Sequence, residues 1–331
     1  MIIKSREIPI TLLQLASLKQ RIESTHLQFQ TIIDDHVIYQ SGYRGELAFD
    51  YYLKAIDGEK ICLLHSLRIV GPNAFQMDTL ILTPSFFLIV EVKNFTGTIE
   101  FDHEFGQMTQ YSNGRTRSFK DPISQVDNQT FHLQNWLMQQ GIAAVPIESL
   151  VVFVSNHVHL TRKGDQEVDK RIIRAGKFIE KYQELKGKHS APILTHQQLV
   201  NLAHMLKNRH APLHIDVFKK YNLTLNDIGP GAPCLNCSYI PMDRIYGRWL
   251  CPKCQTISRD AHLYALKDFQ LLVKDHISNR EARWMLQVDD ILLVSKLLKK
   301  SGLPFTGYKK DRVYNLNFDF QKDYAHLMKS R

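Results

Sequence analysis

The stretch MDTLILTPSFFLIVEVKN, Met77 to Asn94, reads as two apolar runs joined by a Thr-Pro-Ser turn, an antiparallel β-hairpin. Its first strand carries Asp78 and its second carries Glu91 and Lys93. Side chains alternate along a strand, so Glu91 and Lys93 point to one face, where Asp78 of the neighbouring strand can meet them. Two carboxylates facing each other are costly when buried unpaired, and a divalent cation removes the conflict. A hard cation such as Mg²⁺ or Mn²⁺ takes one or two carboxylates, water and substrate phosphate, and the Val92 carbonyl is a further oxygen ligand. Lys93 is then placed to orient or deprotonate a metal-bound water, or to neutralise charge on a phosphate. Exposed strand carboxylates with an ordinary Lys93 salt bridge are the alternative reading of the same three residues.

Residues 8–36 have a helical pattern, which SGYRGE interrupts and GELAFDYYLKAI restores, with Glu46 at the start of the second helix. A strand is expected over 60–70, then the hairpin, a further strand at TGTIEFD, and a turn at Ser112-Asn113-Gly114. DPISQVDNQTFHLQNWLMQQG reads as a helix with Pro122 in its first turn and Gly141 at its end. SLVVFVSN is a wholly apolar strand of the buried kind, and 175–186 and 195–207 read as peripheral helices. A polar linker leads to Gly229-Pro230-Gly231-Ala232-Pro233, the clearest domain boundary in the pattern.

Together GYRGELAFDYYL, QMDTLIL, FFLIVEVKNFTGTI and DPISQVDNQTFHLQNWL resemble the NERD (nuclease-related) domain, a branch of the PD-(D/E)XK nuclease superfamily. The resemblance covers residues 40–160 and implies an α-β-β-β-α-β, restriction-endonuclease-like core, a mixed sheet flanked by helices. It also implies that Glu46, Asp78, Glu91 and Lys93 form a metal-dependent hydrolytic site, with Gln125 positioning phosphate or water. Met77 stands where the superfamily often has proline.

Four of the five cysteines form two C-x-x-C pairs, Cys234/Cys237 and Cys251/Cys254, with 13 residues between them. Four thiolates at this spacing suit a closed, structural tetrahedral Zn²⁺ in a zinc ribbon, and so short a unit depends on its metal. A redox-active pair needs a thioredoxin-like context that is missing. Tyr246 and Trp249 either stack on bases or pack the ribbon, packing being preferred; Cys62, in the run ICLL, reads as a buried, inert thiol.

The formal charge of +9 is uneven: residues 1–224 hold 25 Lys+Arg and 22 Asp+Glu, net +3, whereas 225–331 hold 17 and 11, net +6. Such an excess favours polyanions, and also serves plain solubility. From Asp260 the chain is helical again; Ser278 with Glu281 is a capping box for a helix over 279–286, and a second helix over 289–300 ends at Gly302. YKKDRVYNLNF then reads as a hairpin or wing. This order resembles a winged helix-turn-helix, whose second helix enters the major groove. Its polar face carries Ser295, Lys296, Lys299 and Lys300, and the wing carries Lys309, Lys310 and Arg312. Asp289 and Asp290 at the helix start repel phosphate and disfavour close base reading.

The expected organisation is therefore an N-terminal helical segment (1–39), a nuclease-like α/β domain (40–212), a linker (213–228), a zinc ribbon (229–258) and a winged-helix-like unit (259–331). The expected activity is Mg²⁺-dependent endodeoxyribonuclease, with DNA as partner and RNA as a further substrate class. A non-catalytic DNA-binding or adaptor protein on the same fold is the alternative. No run of about 18 apolar residues spans a membrane, and the start lacks a secretory pattern, so a cytoplasmic protein is expected.

Overall fold

The computed structural model describes the chain apart from residues 57–59, 72, 103, 143, 165–166 and 329–331 and the side chain of Lys310. In chain order the elements are β1 (Ile2–Lys4), α1 (Ile10–Arg21), α2 (Phe29–Leu53), β2 (Cys62–Ile69), β3 (Phe75–Leu82), β4 (Phe87–Lys93), β5 (Gly97–Asp102), β6 (Gln107–Ser112) and β7 (Arg115–Lys120). They continue with α3 (Pro122–Gln139), β8 (Ile147–Phe153), β9 (Val158–Arg162), β10 (Ile172–Arg174), α4 (Phe178–Lys188), α5 (His196–Asn208) and α6 (Val217–Tyr221). The last elements are β11 (Asp243–Ile245), β12 (Arg248–Leu250), β13 (Ile257–Ser258), α7 (Ala261–Leu272), β14 (His276–Ser278), α8 (Asn279–Leu286), α9 (Ile291–Lys300), β15 (Phe305–Thr306) and β16 (Val313–Asn315).

Contacts divide the chain into two compact units, Met1–Glu7 with Gln40–Pro212, and Ile8–Tyr39 with Leu213–Arg331. In the first, a mixed sheet has the order β1-β2-β3-β4-β8-β10. The β2-β3-β4 meander is antiparallel, and β4, β8 and β10 run parallel. Alternation sends Phe87 and Ile89 of β4 to one face, against α3 and α5, and Leu88, Val90 and Val92 to the other, against α2 and α4. Both faces are thus covered, as the apolar sequences of β4 and β8 require. By parity Glu91 and Lys93 fall on the α3 face.

TGTIEFD forms β5, but in a second sheet, β7-β6-β5-β9, whose apolar side (Ile99, Phe101, Met108) packs with Ile123 and Val126 of α3 and with Val151 and Phe153 of β8. The turn at Asn113-Gly114 has positive φ at both residues, 52° and 71°, as a two-residue hairpin turn demands.

Two helical expectations change. The 8–36 pattern is two helices, because Ile22 is extended and α1 stops at Arg21. SGYRGE, read as a break, lies inside α2. Gly45 serves close packing there: a Cβ at this position would lie 2.5 Å from Cβ of Asn94. Asn94 Nδ2 in turn donates to the Ser41 carbonyl at 2.9 Å.

The second unit departs from the expected segments. Residues 8–39 group with 213–331 because Ile10, Leu13, Leu18 and Ile32 share a core with Val217, Tyr221, Leu271 and Tyr324. The expected linker contains α6 and buries Leu223 and Ile228. The Gly/Pro stretch is packed rather than loose. Buried Arg21 donates to the carbonyls of Gly229 (2.9 Å) and Gly231 (3.2 Å) and pairs with buried Asp268, while the Gly231 N–H donates to the Met285 carbonyl at 2.8 Å. Ala232, Cys234, Trp249 and Cys251 share one core with α7, α8 and α9. The cysteine segment therefore packs into the C-terminal core instead of standing alone.

Candidate active site and metal centre

The register Thr79↔Val90 between β3 and β4, carried one step further, sets Asp78 opposite Glu91. In β2, His65↔Thr79 and Leu67↔Met77 set Ser66 opposite Asp78. Ser66, Asp78 and Glu91 thus form a row across three strands. The ladder opens along this row: Ser66 has φ 47°, and the Val92 N–H donates to Asp78 Oδ2 at 2.9 Å.

Helices close on the row from both sides. On the α3 side, Glu91 is buried, and its Oε1 accepts from Lys93 Nζ (2.8 Å) and from Gln125 Nε2 (2.7 Å). Lys93 Nζ also donates to Gln125 Oε1 at 2.9 Å, and Gln129 Nε2 donates to Glu91 Oε2 at 2.8 Å. Gln125 and Gln129 are one helical turn apart on α3, so both amides reach the same carboxylate. On the other side, Glu46 of α2 accepts from Ser66 Oγ at 3.0 Å and from Arg6 Nη1. Arg6 arrives on the segment after β1, is almost fully buried, and also donates to Asp50 (2.7 Å), Thr79 Oγ1 (3.1 Å) and the Asp78 carbonyl (3.3 Å).

Charge is unbalanced here. Burial, reinforced by the negative charges of Glu91 and Glu46, pushes the Asp78 carboxyl well above the usual range; Lys93 and the Val92 N–H only partly oppose this. Burial raises Glu46 too, against the pull of Arg6. A row of oxygen ligands whose charges oppose one another's ionisation is the chemistry a hard divalent cation satisfies.

Glu46, Asp78, Glu91, Lys93 and Gln125 are therefore gathered into one neighbourhood, Asp78 bonding the Val92 N–H that adjoins Glu91. Gln129, Arg6 and Ser66 join the same neighbourhood outside the expected set. Gln129 had a legible signal, its spacing of four from Gln125 on a helix face. Arg6 and Ser66 had none, because their partners lie tens of residues away in sequence.

In the second unit the Sγ atoms of Cys234, Cys237, Cys251 and Cys254 all lie within 4.8 Å of one another, with Cys234–Cys254 at 3.6 Å and Cys237–Cys251 at 3.5 Å. Tetrahedral zinc with bonds of about 2.3 Å sets its sulfurs roughly 3.8 Å apart, so the four thiols fit it. Contacts with Thr256 pull the Cys254 thiol down to about 5, while the Cys237 thiol is pushed up by burial and its neighbouring thiols. Trp249 is fully buried, stacked on His262 with the Arg244 guanidinium 5.0 Å from its ring, whereas Tyr246 is fully exposed and does not pack the ribbon as expected.

The Ser278–Glu281 capping box forms as expected. α9 begins at Ile291, two residues later than expected, because Asp290 is its N-cap, accepting from the N–H groups of Leu292 (2.8 Å) and Leu293 (3.0 Å). Lys296, Lys299 and Lys300 are exposed on it, and Lys309 is exposed in the loop between β15 and β16. The Arg312 guanidinium lies 4.3 Å from the Phe305 ring, and the Lys310 side chain is outside the described residues. Among the described residues no helix is long and apolar enough to cross a membrane.

A mixed sheet with helices on both faces and a carboxylate-lysine row beside α3 defines an α/β protein with a nuclease-like core. Residues 41–154 match the family model of the nuclease-related domain, NERD, and the chain carries that domain over this span. No curated protein and no solved structure matches the chain.

Proposed function

We propose that the chain is a metal-dependent nuclease that hydrolyses DNA phosphodiester bonds. The observation that carries this reading is the row of Asp78 and Glu91 with Lys93 held beside Glu91 by Gln125. Asp78, Glu91 and the Val92 carbonyl would hold Mg²⁺ or Mn²⁺, which when bound lowers the pKa of water and offsets phosphate charge. Lys93, oriented by Gln125, would neutralise negative charge developing on a phosphate held there, or orient or deprotonate the attacking water. Gln129 fixes the rotamer of Glu91, and Arg6 with Ser66 holds Glu46 at the far end of the row.

In the second unit, Cys234, Cys237, Cys251 and Cys254 would hold a structural zinc. The succession α7, β14, α8, α9, β15, β16, with sheet order β14-β16-β15, supports a winged helix-turn-helix. Lys296, Lys299, Lys300, Lys309, Lys310 and Arg312 would contact duplex phosphates, with affinity falling steeply as salt rises. Exposed Ile291 and Leu292, beside Asp289, make the first turn of α9 a poor base reader.

The test is incubation of the pure chain with plasmid, linear and single-stranded DNA and RNA, with and without added Mg²⁺ or Mn²⁺. Cleavage of DNA that depends on the added metal and disappears in Glu91→Ala is expected. DNA binding without cleavage under any metal would make the chain a non-catalytic DNA-binding protein on a nuclease scaffold.

A further inference from the structure

Two hairpins in the second unit carry solvent-exposed aromatic rings. At the β11–β12 turn, Tyr246 (φ 38°) and Gly247 (φ 79°) throw the tyrosine ring fully into solvent. In the β15–β16 hairpin, Tyr308 of the loop is 72% exposed and Phe305 of β15 is 52% exposed. That loop is held tight by Gly307 (φ 78°), where a Cβ would lie 2.3 Å from the Asp311 carbonyl oxygen. Its tip is therefore a built feature rather than a slack one.

Cations accompany the rings. Lys309 Nζ lies 5.3 Å from the centre of Tyr308, and the Arg312 guanidinium 4.3 Å from that of Phe305. Exposed Arg248 follows Tyr246 by two residues. Asp243 and Asp311 are the acidic groups on the same two hairpins, so cations and anions there do not cancel over a segment of net +6. Exposed rings with cations beside them suit a polymer that offers both flat bases and phosphates. A duplex keeps its bases stacked inside and offers these rings nothing; an unpaired strand offers both groups at once.

We propose that each of the two hairpin tips is a stacking platform for unpaired nucleotides, with Tyr246 and Tyr308 taking bases and Arg248, Lys309 and Arg312 taking the adjoining phosphates. The chemical class of ligand is single-stranded nucleic acid, including the unpaired ends and gaps of a duplex. The inference rests on the nucleic-acid reading of this unit and is independent of catalysis.

Fluorescence anisotropy of the full chain, without added divalent cation, should compare a labelled single strand with a blunt duplex of the same sequence. Tyr308→Ala and Tyr246→Ala should each weaken single-strand binding by roughly five-fold or more and leave duplex binding within about two-fold, as loss of one stacked base predicts. Tyr308→Phe, which keeps the ring, should bind like the wild type. Both tyrosines are at exposed tips, so the variants retain the fold, which the circular dichroism spectrum checks. Unchanged single-strand affinity in both alanine variants, with duplex binding intact, overturns the platform while sparing the phosphate-binding reading. Absence of binding to either nucleic acid overturns both. Loss of self-association in place of nucleic-acid affinity would make the rings a protein-docking surface and overturn the proposal.

Discussion

Gln125, exposed on α3, donates its amide to Glu91 Oε1 at 2.7 Å, and the same amide's oxygen accepts from Lys93 at 2.9 Å. One side chain thus fixes the distance between a carboxylate and an ammonium that follow one another on a strand. Gln125→Ala leaves Lys93 only its contact with Glu91 and should lower the rate of metal-dependent cleavage about 10- to 100-fold. Cleavage kinetics at limiting and saturating Mg²⁺ check this; a wild-type rate would show that Gln125 only decorates the surface of α3.

Asp78→Ala, Glu91→Ala and Lys93→Ala should each reduce cleavage by about 100-fold or more while the fold survives, since each removes a charge placed on the reacting phosphate or its metal. Single-turnover cleavage together with a melting curve tests the set. Substantial activity in Glu91→Ala would remove the assignment.

The chain should bind one zinc, measurable by elemental analysis of protein purified without chelator. Its removal should disturb more than the cysteine hairpins, because Cys234, Trp249 and Cys251 share a core with α7, α8 and α9. Near-ultraviolet spectra and proteolysis after chelation should show loss of the C-terminal core, with residues 40–212 resistant. Intact α7–α9 after zinc loss would contradict this.

Gly45→Ala gains up to about 1 kcal/mol of helix propensity but meets Asn94. With the new Cβ 2.5 Å from Cβ of Asn94, the variant should instead lose about 1–3 kcal/mol, readable in the urea midpoint.

Burial and the neighbouring Arg6 charge lower the His65 pKa from 6.5 to about 4. The folded state then refuses a proton that the unfolded chain accepts. Stability is therefore full above pH 6.5 and falls as pH drops toward 4, with a slope of at most about 1.4 kcal/mol per unit from this group. Denaturation midpoints between pH 7 and 4.5 should fall more steeply for the wild type than for His65→Gln; parallel curves would refute the assignment.

Features set by neighbours in sequence were legible without a structure. The Met77–Asn94 hairpin, with Glu91 and Lys93 on one face, follows from period-two alternation. The α3 limits follow from Asp121-Pro122 and Gly141, and the α8 start from Ser278 and Glu281. The two C-x-x-C pairs announce a four-sulfur cluster because ligand type and spacing are local. Tertiary structure alone decided the rest. α2 runs through Gly45 because the helix meets Asn94 there, a partner 49 residues on. The Gly229–Pro233 stretch is fixed because a buried arginine some 200 residues earlier takes its carbonyls. Glu46 owes its setting to Arg6, and Glu91 to Gln129. In each case the deciding energy is a contact between groups distant along the chain, which no local pattern encodes and only the folded packing brings together.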